Sequence, residues 1–352
     1  MPTPTPTNQE DHDQFMSRCM ADEMMKQDMA DPAEREAACE MHWDKGKSGA
    51  KSEQHYQNLM GLVRDTPWAI LPERLAIILD LMNFRAQGGR LTTEQITERV
   101  GAARPAISQR AGAIAVLPLF GLISQRMNMM TATSGGTSTE MFGKQFSQAM
   151  ADPQVGAIVI DVDSPGGTVQ GVDELADQIF AARGRKPVVA VANSLAASAA
   201  YWIATAADEI VVTPSGEVGS IGVMAAHQDQ SKCDEAMGVK TTLISAGKFK
   251  TEGNPFEPLT AEARDYTQAR VNDYYQMFVK AVARDRGVGI DAVRNGFGEG
   301  RVVGAKQALS LGMADRIGTL DETLARMARE LKQPGGVGLS RESRERRLRS
   351  LT

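Results

Sequence analysis

Apolar and polar positions alternate in blocks along the second half of the chain. Between residues 113 and 213, short uninterrupted apolar runs alternate with amphipathic segments whose apolar positions have helical spacing. Uninterrupted apolar runs are typical of strands covered on both faces, so the alternation predicts a parallel sheet with crossover helices. The predicted strands are 113–123, 155–162, 187–192 and 209–213, and the predicted helices are 138–152, 171–183, 197–207 and 271–287.

The first third of the chain has helical spacing and no such alternation. Phe15 and Cys19 lie four positions apart, as do Cys39 and Trp43, so each pair shares one face of a helix. Caps and spacing at 72–84 and 92–102 indicate further helices. We therefore predict a disordered tail at 1–10, a helical hairpin at 11–44, a polar linker at 45–58, a helical extension at 59–111, an α/β domain at 112–325 and a basic disordered tail at 326–352.

Composition limits the possible environments and partners. The net charge is -5, with 24% charged and 42% hydrophobic residues, which gives no global attraction to nucleic acid. No stretch approaches the roughly 20 apolar residues of a membrane span, and the N-terminus lacks the features of a secretion signal. Three cysteines are too few for a disulfide framework, which predicts reduced thiols in the cytosol. Cys19, Cys39, His12 and His42 are candidate zinc ligands; the spacing of Cys39 and His42 is tolerable, but no matching second pair exists, so no metal is predicted.

Candidate chemistry begins where the strand 155–162 ends, in the segment DSPGG (163–167). Open α/β sheets place their sites at the carboxyl ends of strands. Pro165 fixes one backbone dihedral, and Gly166 and Gly167 permit a bend that exposes amide protons able to bind an oxyanion. An ordinary Pro-Gly turn explains the same residues.

Ser198 follows the next strand, in NSLAASAAYWIA (193–204), near the start of a predicted helix. There the hydroxyl would lie at the positive end of the helix dipole, beside free amides. Small neighbours would let a substrate backbone approach closely. The alternative is a serine that caps or packs the helix.

A nucleophilic serine needs a base, and the sequence offers two kinds. Of the four histidines, His227 alone lies in the α/β part, so a Ser–His–Asp triad is possible. A lysine in a poorly solvated pocket is the other known activator. LISAGKFKTEGNPF (243–256) offers Lys248 and Lys250 at the end of a predicted apolar strand, although most lysines are simply solvated.

Four motifs together carry a resemblance to a known family. DSPGG, SLAASAAYWIA, GEVGSIGV and GKFKTEGNPFEPLT occur in this order. They resemble the signal peptide peptidase A (SppA) family of Ser–Lys peptidases, which has the Clp protease/crotonase fold. The likeness runs from about Ala113 to Leu324. It implies an α/β fold of that type, a parallel sheet with crossover helices, preceded by a short helical region.

The resemblance also implies roles for individual residues. By position in the motifs, Ser198 is the nucleophile, Lys250 the general base, and Ser220 the residue that orients the lysine. The amides of Gly167 and Ala199 would form the oxyanion hole, with Gly166 in support. The family often has A-S-G-G at this motif, whereas Ala199-Ala200 stands here, which leaves the amides but adds methyl groups near the site. No cofactor is implied.

Within this family the sequence looks closer to the capsid maturation proteases of tailed phages, typified by the lambda head protease. That branch implies a ring-like homo-oligomer that acts on scaffold, major capsid and portal proteins, in the host cytoplasm and inside the procapsid. It implies neither membrane nor sequence-specific nucleic acid as a partner. A bacterial peptidase that degrades peptides, and an assembly factor on a peptidase fold, are the alternatives.

Overall fold

A computed structural model describes residues 11–22, 25–26, 31–33, 35–40, 42–43, 66–86, 109–126 and 136–332. The chain divides into two compact units: Met1–Val63 with Leu79–Arg90, and Arg64–Ile78 with Leu91–Thr352. The predicted tail at 1–10, the linker at 45–58, the helix at 92–102 and the end of the basic tail, 333–352, lie outside the described residues. Within the described ranges, no helix is long and apolar enough to span a bilayer.

The described part of the first unit is helical and contains a disulfide. Helix α1 is His12–Ala21, and the Asp11 carboxylate caps it by accepting from the Gln14 amide at 2.9 Å. Residues 35–40 are also helical. Cys19 and Cys39 are bonded to each other, and both side chains are buried beside Phe15. The expectation of reduced thiols is therefore wrong for this pair, because tertiary packing places two buried helix faces against each other.

The second unit is a mixed α/β layer structure, as the alternating pattern predicted. The described residues form a ten-stranded sheet whose main path runs in the order β10-β7-β6-β5-β3-β2. Neighbours from β10 to β3 pair in parallel, and β2 pairs antiparallel with β3. The strands are β1 (Trp68–Ile70), β2 (Gln109–Ala111), β3 (Ile114–Ser124), β4 (Thr137–Ser138), β5 (Ala157–Thr168), β6 (Val188–Ala197), β7 (Glu209–Val212), β8 (Glu217–Gly219), β9 (Val302–Gly304) and β10 (Arg316–Ile317).

Helices connect the strands and continue to the end of the described chain. A short 3-10 helix, Gly298–Gly300, precedes β9. The helices that follow α1 along the chain are α2 (Pro72–Ala86), α3 (Thr139–Ala151), α4 (Val172–Ala181), α5 (Ala199–Thr205), α6 (Ser231–Ala236), α7 (Ala261–Arg286), α8 (Ile290–Gly296), α9 (Ala305–Ser310) and α10 (Leu320–Lys332). The second half of α2 falls in the first unit, and the other helices in this series belong to the second.

Both faces of the central strands are buried, which explains their uninterrupted apolar sequence. Ile158 and Ile160 of β5 belong to the larger core cluster, which also contains side chains of α3, α4, α5 and α7. Val159, between them, belongs to a smaller cluster on the other face. Successive side chains of a strand point to opposite faces, so both layers need apolar residues.

Helix α10 covers the second face of the sheet. Met327 is fully buried there, and Leu324 and Leu331 pack beside it. These positions lie three and four residues apart and so share one helical face. The helix ends at Lys332, so the α/β unit runs past the boundary predicted at residue 325. The apolar stripe is short and lies among charged residues, which made this segment resemble a tail.

The segment before α2 differs most from the prediction. Residues 59–111 were predicted to be helical, but Trp68–Ile70 forms strand β1 and pairs antiparallel with the end of β5. Two prolines, Pro67 and Pro72, flank the strand and explain its conformation. Pro72 starts α2, where its fixed φ and missing N–H are tolerated, and it pushes the residue before it toward extended backbone.

Candidate active site

Ser198 occupies a strained turn between β6 and α5. Its backbone has φ 54° and ψ -117°, in a region that non-glycine residues rarely adopt and that costs about 1–3 kcal/mol. The Ser198 N–H donates to Gly219 O at 2.7 Å, which helps to hold the turn. A strained serine at a strand-to-helix turn is the geometry of a hydrolase nucleophile.

The Ser198 side chain does not cap the helix. It makes no capping hydrogen bond with α5, and its Oγ lies 3.4 Å from Gly222 O, to which it donates. The alternative of a helix-capping serine therefore has no support in the geometry. Ser198 is fully buried, and Ala197 and Ala199 on either side are buried as well.

Helix α5 is held at its C-terminus by one buried cluster of polar groups. Arg183 donates to the carbonyls of Thr205, Ala206 and Ala207 at 2.6–2.8 Å, which satisfies groups that a helix end leaves open. Thr205 Oγ1 donates to the Asp285 carboxylate at 2.9 Å, and burial raises the pKa of Asp285. No sequence signal marked Arg183, because its partners are backbone carbonyls.

The segment DSPGG is part of strand β5 and not an isolated Pro-Gly turn, which was the alternative explanation of its sequence. The strand continues to Thr168 because the glycines pair with strands on both sides. Gly166 has φ +100°, and its N–H donates to Ser164 Oγ at 3.2 Å. A Cβ at Gly167 would collide with the backbone of Ile123. These contacts fix the glycine amides rigidly beside β3.

The structure brings Ser220 and the glycine segment close to Ser198. Ser220 is buried, also has a positive φ of 54°, and directly follows Gly219, whose carbonyl holds the Ser198 amide. Across the sheet, Ser164 pairs with Ala196 in β6. Ala199 is the first residue of α5. Four of the predicted site residues, Ser198, Ala199, Ser220 and Gly167, thus lie around the carboxyl ends of β5 and β6.

The structure does not bring Lys250 to this site. The predicted strand before it is absent, since residues 241–245 have no regular structure and 241–250 are exposed. Among the described residues, no hydrogen bond joins Lys250 to Ser198. Lys248 instead pairs with Glu262 at 3.1 Å. The apolar residues Leu243 and Ile244 suggested a buried strand, but both side chains are exposed in the part of the chain that the structure describes.

His227 is also engaged elsewhere. Its Nε2 lies within hydrogen-bonding distance, 3.1 Å, of the Asn254 carbonyl oxygen. Within the described part of the chain, no hydrogen bond joins His227 to Ser198, so the geometry gives no support to a Ser–His–Asp triad. Three of the four residues considered as zinc ligands have other partners. Cys19 and Cys39 bond to each other, and His12 Nε2 lies 3.0 Å from Glu40.

Comparisons with known proteins find relatives among phage head proteins and proteases. The chain is 36% identical over 258 residues to the head-tail preconnector protein GP5 of Enterobacteria phage P21, covering 73% of this chain and 51% of that protein. It is 37% identical to the capsid assembly protease C of Escherichia phage lambda, covering 58% and 46%. It is 30% identical to protease 4 of Salmonella typhi, covering 57% and 33%. The chain thus spans about half the length of the two phage relatives.

Among solved structures, a mutant of a membrane-bound stomatin-specific protease covers 60% of this chain and 83% of its own, at 15% identity and a TM-score of 0.39. The model of Peptidase family S49 matches residues 181–333, which include Ser198, Ser220 and Lys250. The chain therefore contains a domain of peptidase family S49.

Proposed function

We propose that this protein is a serine endopeptidase in which Ser198 is the nucleophile and Lys250 is the general base. The observation that carries the proposal is the strained backbone of Ser198 at the β6–α5 turn, beside the glycines of β5 and inside the residues that match family S49. Backbone strain of this kind clusters at active sites, and a nucleophile turn between a strand and a helix is one known case.

The residues would act in the following sequence. Neutral Lys250, oriented by Ser220, removes the proton from Ser198 Oγ, and the oxygen attacks a peptide carbonyl carbon. The N–H groups of Gly167 and Ala199 stabilise the oxyanion. The lysine returns the proton to the leaving amine, and a water molecule then hydrolyses the acyl-enzyme, which restores the serine.

The position of Lys250 indicates that a neighbouring subunit completes the site. The exposed segment 237–249 carries large apolar side chains: Ile244 is 96% exposed, Met237 65% and Phe249 52%. Exposed apolar side chains in one stretch indicate a surface that another protein covers. In a ring of identical subunits this segment would pack on the next chain, carry Lys250 to its Ser198, and remove water that favours the charged amine.

We assign the peptidase to phage head assembly on the names of its relatives. Two of them are a phage head-tail preconnector protein and a phage capsid assembly protease. The substrates would be scaffold, major capsid or portal proteins, cleaved inside the procapsid in the host cytoplasm. The disulfide-bonded hairpin of the first unit contains none of the proposed catalytic groups. It would therefore serve in docking, which raises the local concentration of a target.

The test is co-expression with the head proteins of the same phage. We expect the wild-type chain to cut at least one head protein at a defined position, and the Ser198→Ala chain to leave all of them intact. Light scattering of the purified Ser198→Ala chain is expected to give a closed oligomer. A wild-type chain that is monomeric by light scattering and fully active as a peptidase would refute the shared site. Intact head proteins beside an oligomer that cuts unrelated peptides would refute the assembly role.

A further inference from the structure

A short segment of this chain runs between the end of β5 and Met224, close to Ser198. We call Thr66–Leu71 the strap. On one edge of the strap, the backbone amide of Trp68 donates to Met224 O at 2.8 Å, and the Trp68 carbonyl accepts from the Met224 amide at 2.9 Å. Met224 lies two residues after Gly222, whose carbonyl accepts the Ser198 hydroxyl. The strap therefore borders the segment that contacts the nucleophile.

The other edge of the strap pairs with the glycine end of β5. Leu71 donates to Pro165 O at 3.0 Å, and Pro67 O accepts from Val169 at 3.3 Å. Hydrogen-bonded pairs recur at every second residue of an antiparallel ladder. Ala69, midway between Pro67 and Leu71, is therefore the residue whose amide and carbonyl pair with Gly167.

In this register the Ala69 carbonyl faces the amide of Gly167, which we assign to the oxyanion hole. The neighbouring packing agrees. A Cβ at Gly166 would collide with the Ala69 carbonyl oxygen, and the same point lies 3.1 Å from the carbonyl oxygen of Ala197, the residue before the nucleophile. A peptide whose carbonyl oxygen occupies the oxyanion position is bound in the way that a substrate is bound. The bond that follows that carbonyl joins Ala69 to Ile70.

The strap is also buried as a bound substrate would be. Trp68 and Ala69 have no exposed surface, and Ile70 has 2%. Extended peptides bind to enzyme clefts by adding a strand, with backbone hydrogen bonds on the edges and side chains in alternate pockets. Here the strap has such bonds on both edges, to Met224 and to β5.

We propose that the Ala69–Ile70 peptide bond is an internal cleavage site of this protein. The inference rests on the proposed function. Ser198 Oγ would add to the Ala69 carbonyl carbon, and the bond to the Ile70 nitrogen would break. The Ile70 amine takes the proton that Lys250 removed from Ser198. Water then hydrolyses the ester, leaving a carboxylate on Ala69 and free Ser198.

Two consequences follow for the order of events. Since Lys250 makes no hydrogen bond to Ser198 within one chain, cleavage waits until a neighbouring subunit supplies the lysine. Once the bond is cut, residues 1–69 are no longer covalently tied to the peptidase, and the cleft can take other peptides. The strap thus delays proteolysis of other substrates until assembly.

The experiment follows the intact mass of the purified full-length chain over time. We expect the wild-type chain to yield a fragment that begins at Ile70, and the Ser198→Ala chain to remain whole. Trp68→Gly removes the buried side chain that anchors the strap and should slow this cut about tenfold or more. Arg74→Ala, an exposed change just beyond the strap, should cut at the wild-type rate.

The outcomes separate this inference from the proposed function. A wild-type chain that stays whole while it cuts a head protein would overturn the internal site and leave the peptidase assignment intact. A wild-type chain that stays whole, together with a Trp68→Gly chain that cuts head proteins faster, would show that the strap is an inhibitor and not a substrate. A Ser198→Ala chain that is cut at Ile70 would also overturn the inference. As a check independent of folding, the peptide acetyl-TPWAIL-amide should be cut by the wild-type protein between its Ala and Ile.

Discussion

Replacement of Lys250 by alanine is expected to lower kcat/KM for a cleavable head protein by about 10⁴-fold or more. Loss of one member of a nucleophile–base pair has effects of this size, because the serine hydroxyl then has no group to take its proton. The folded state should be unaffected, since Lys250 is exposed and its side chain makes no hydrogen bond among the described residues, while its backbone bond to Gly247 O is kept in alanine.

Two control variants give this result its meaning. Lys248→Ala removes a neighbouring lysine whose ion pair with Glu262 is exposed and contributes little, so activity should stay near the wild-type rate. His227→Ala loses only its contact with the Asn254 carbonyl, and activity should again persist. An inactive, folded His227→Ala chain together with an active Lys250→Ala chain would contradict the Ser–Lys assignment.

Gly167→Ala is expected to lower the free energy of unfolding by about 3 kcal/mol or more and to abolish proteolysis. The new methyl group would collide with the backbone of Ile123, which cannot move without breaking the pairing of β3 and β5. A destabilisation of that size should lower Tm by roughly 6–12 °C in a domain of this length. Thermal unfolding and the yield of soluble protein measure it.

The matched control is Gly304→Ala, at the end of β9 in the same sheet. A methyl group there meets no atom within 4 Å, so the Tm should change by less than about 2 °C. If the two variants prove equally stable and equally active, the glycine end of β5 is not the rigid, close-packed element that the structure describes.

The central sheet could be predicted from sequence because strands buried on both faces have an unmistakable pattern. The apolar runs at 155–162 and 187–192 became β5 and β6, although both strands extend five or six residues further. The extensions carry glycine, proline and serine, which have low strand propensity. These residues form strands because neighbouring backbones pair with them, a tertiary effect that local sequence does not display.

Strand β1 and the disulfide lay beyond sequence reasoning for a related reason. Three residues are too few to show a period of two, and only the prolines at 67 and 72 hinted at extended backbone. Cys19 and Cys39 each lay on a recognisable helical face, but their pairing depends on how two helices meet.

The candidate site, like the fold, could be predicted from the sequence only in part. The order of the motifs indicated Ser198, Gly167 and Lys250 as candidate site residues. The positive φ of Ser198 and Ser220 has no sequence signal, since nothing local to a serine requires it. The prediction that Lys250 ends a buried strand failed because its apolar residues were taken to pack within the same chain.

The most direct test of a peptidase site shared between subunits is a mixing experiment. The Ser198→Ala and Lys250→Ala proteins are each inactive alone, and equal amounts are allowed to exchange subunits. If one chain supplies the serine and its neighbour the lysine, about one site in four receives both wild-type groups, so about a quarter of wild-type activity should return. Mixed oligomers that form but stay inactive at every ratio would contradict a site built from Ser198 of one subunit and Lys250 of the next.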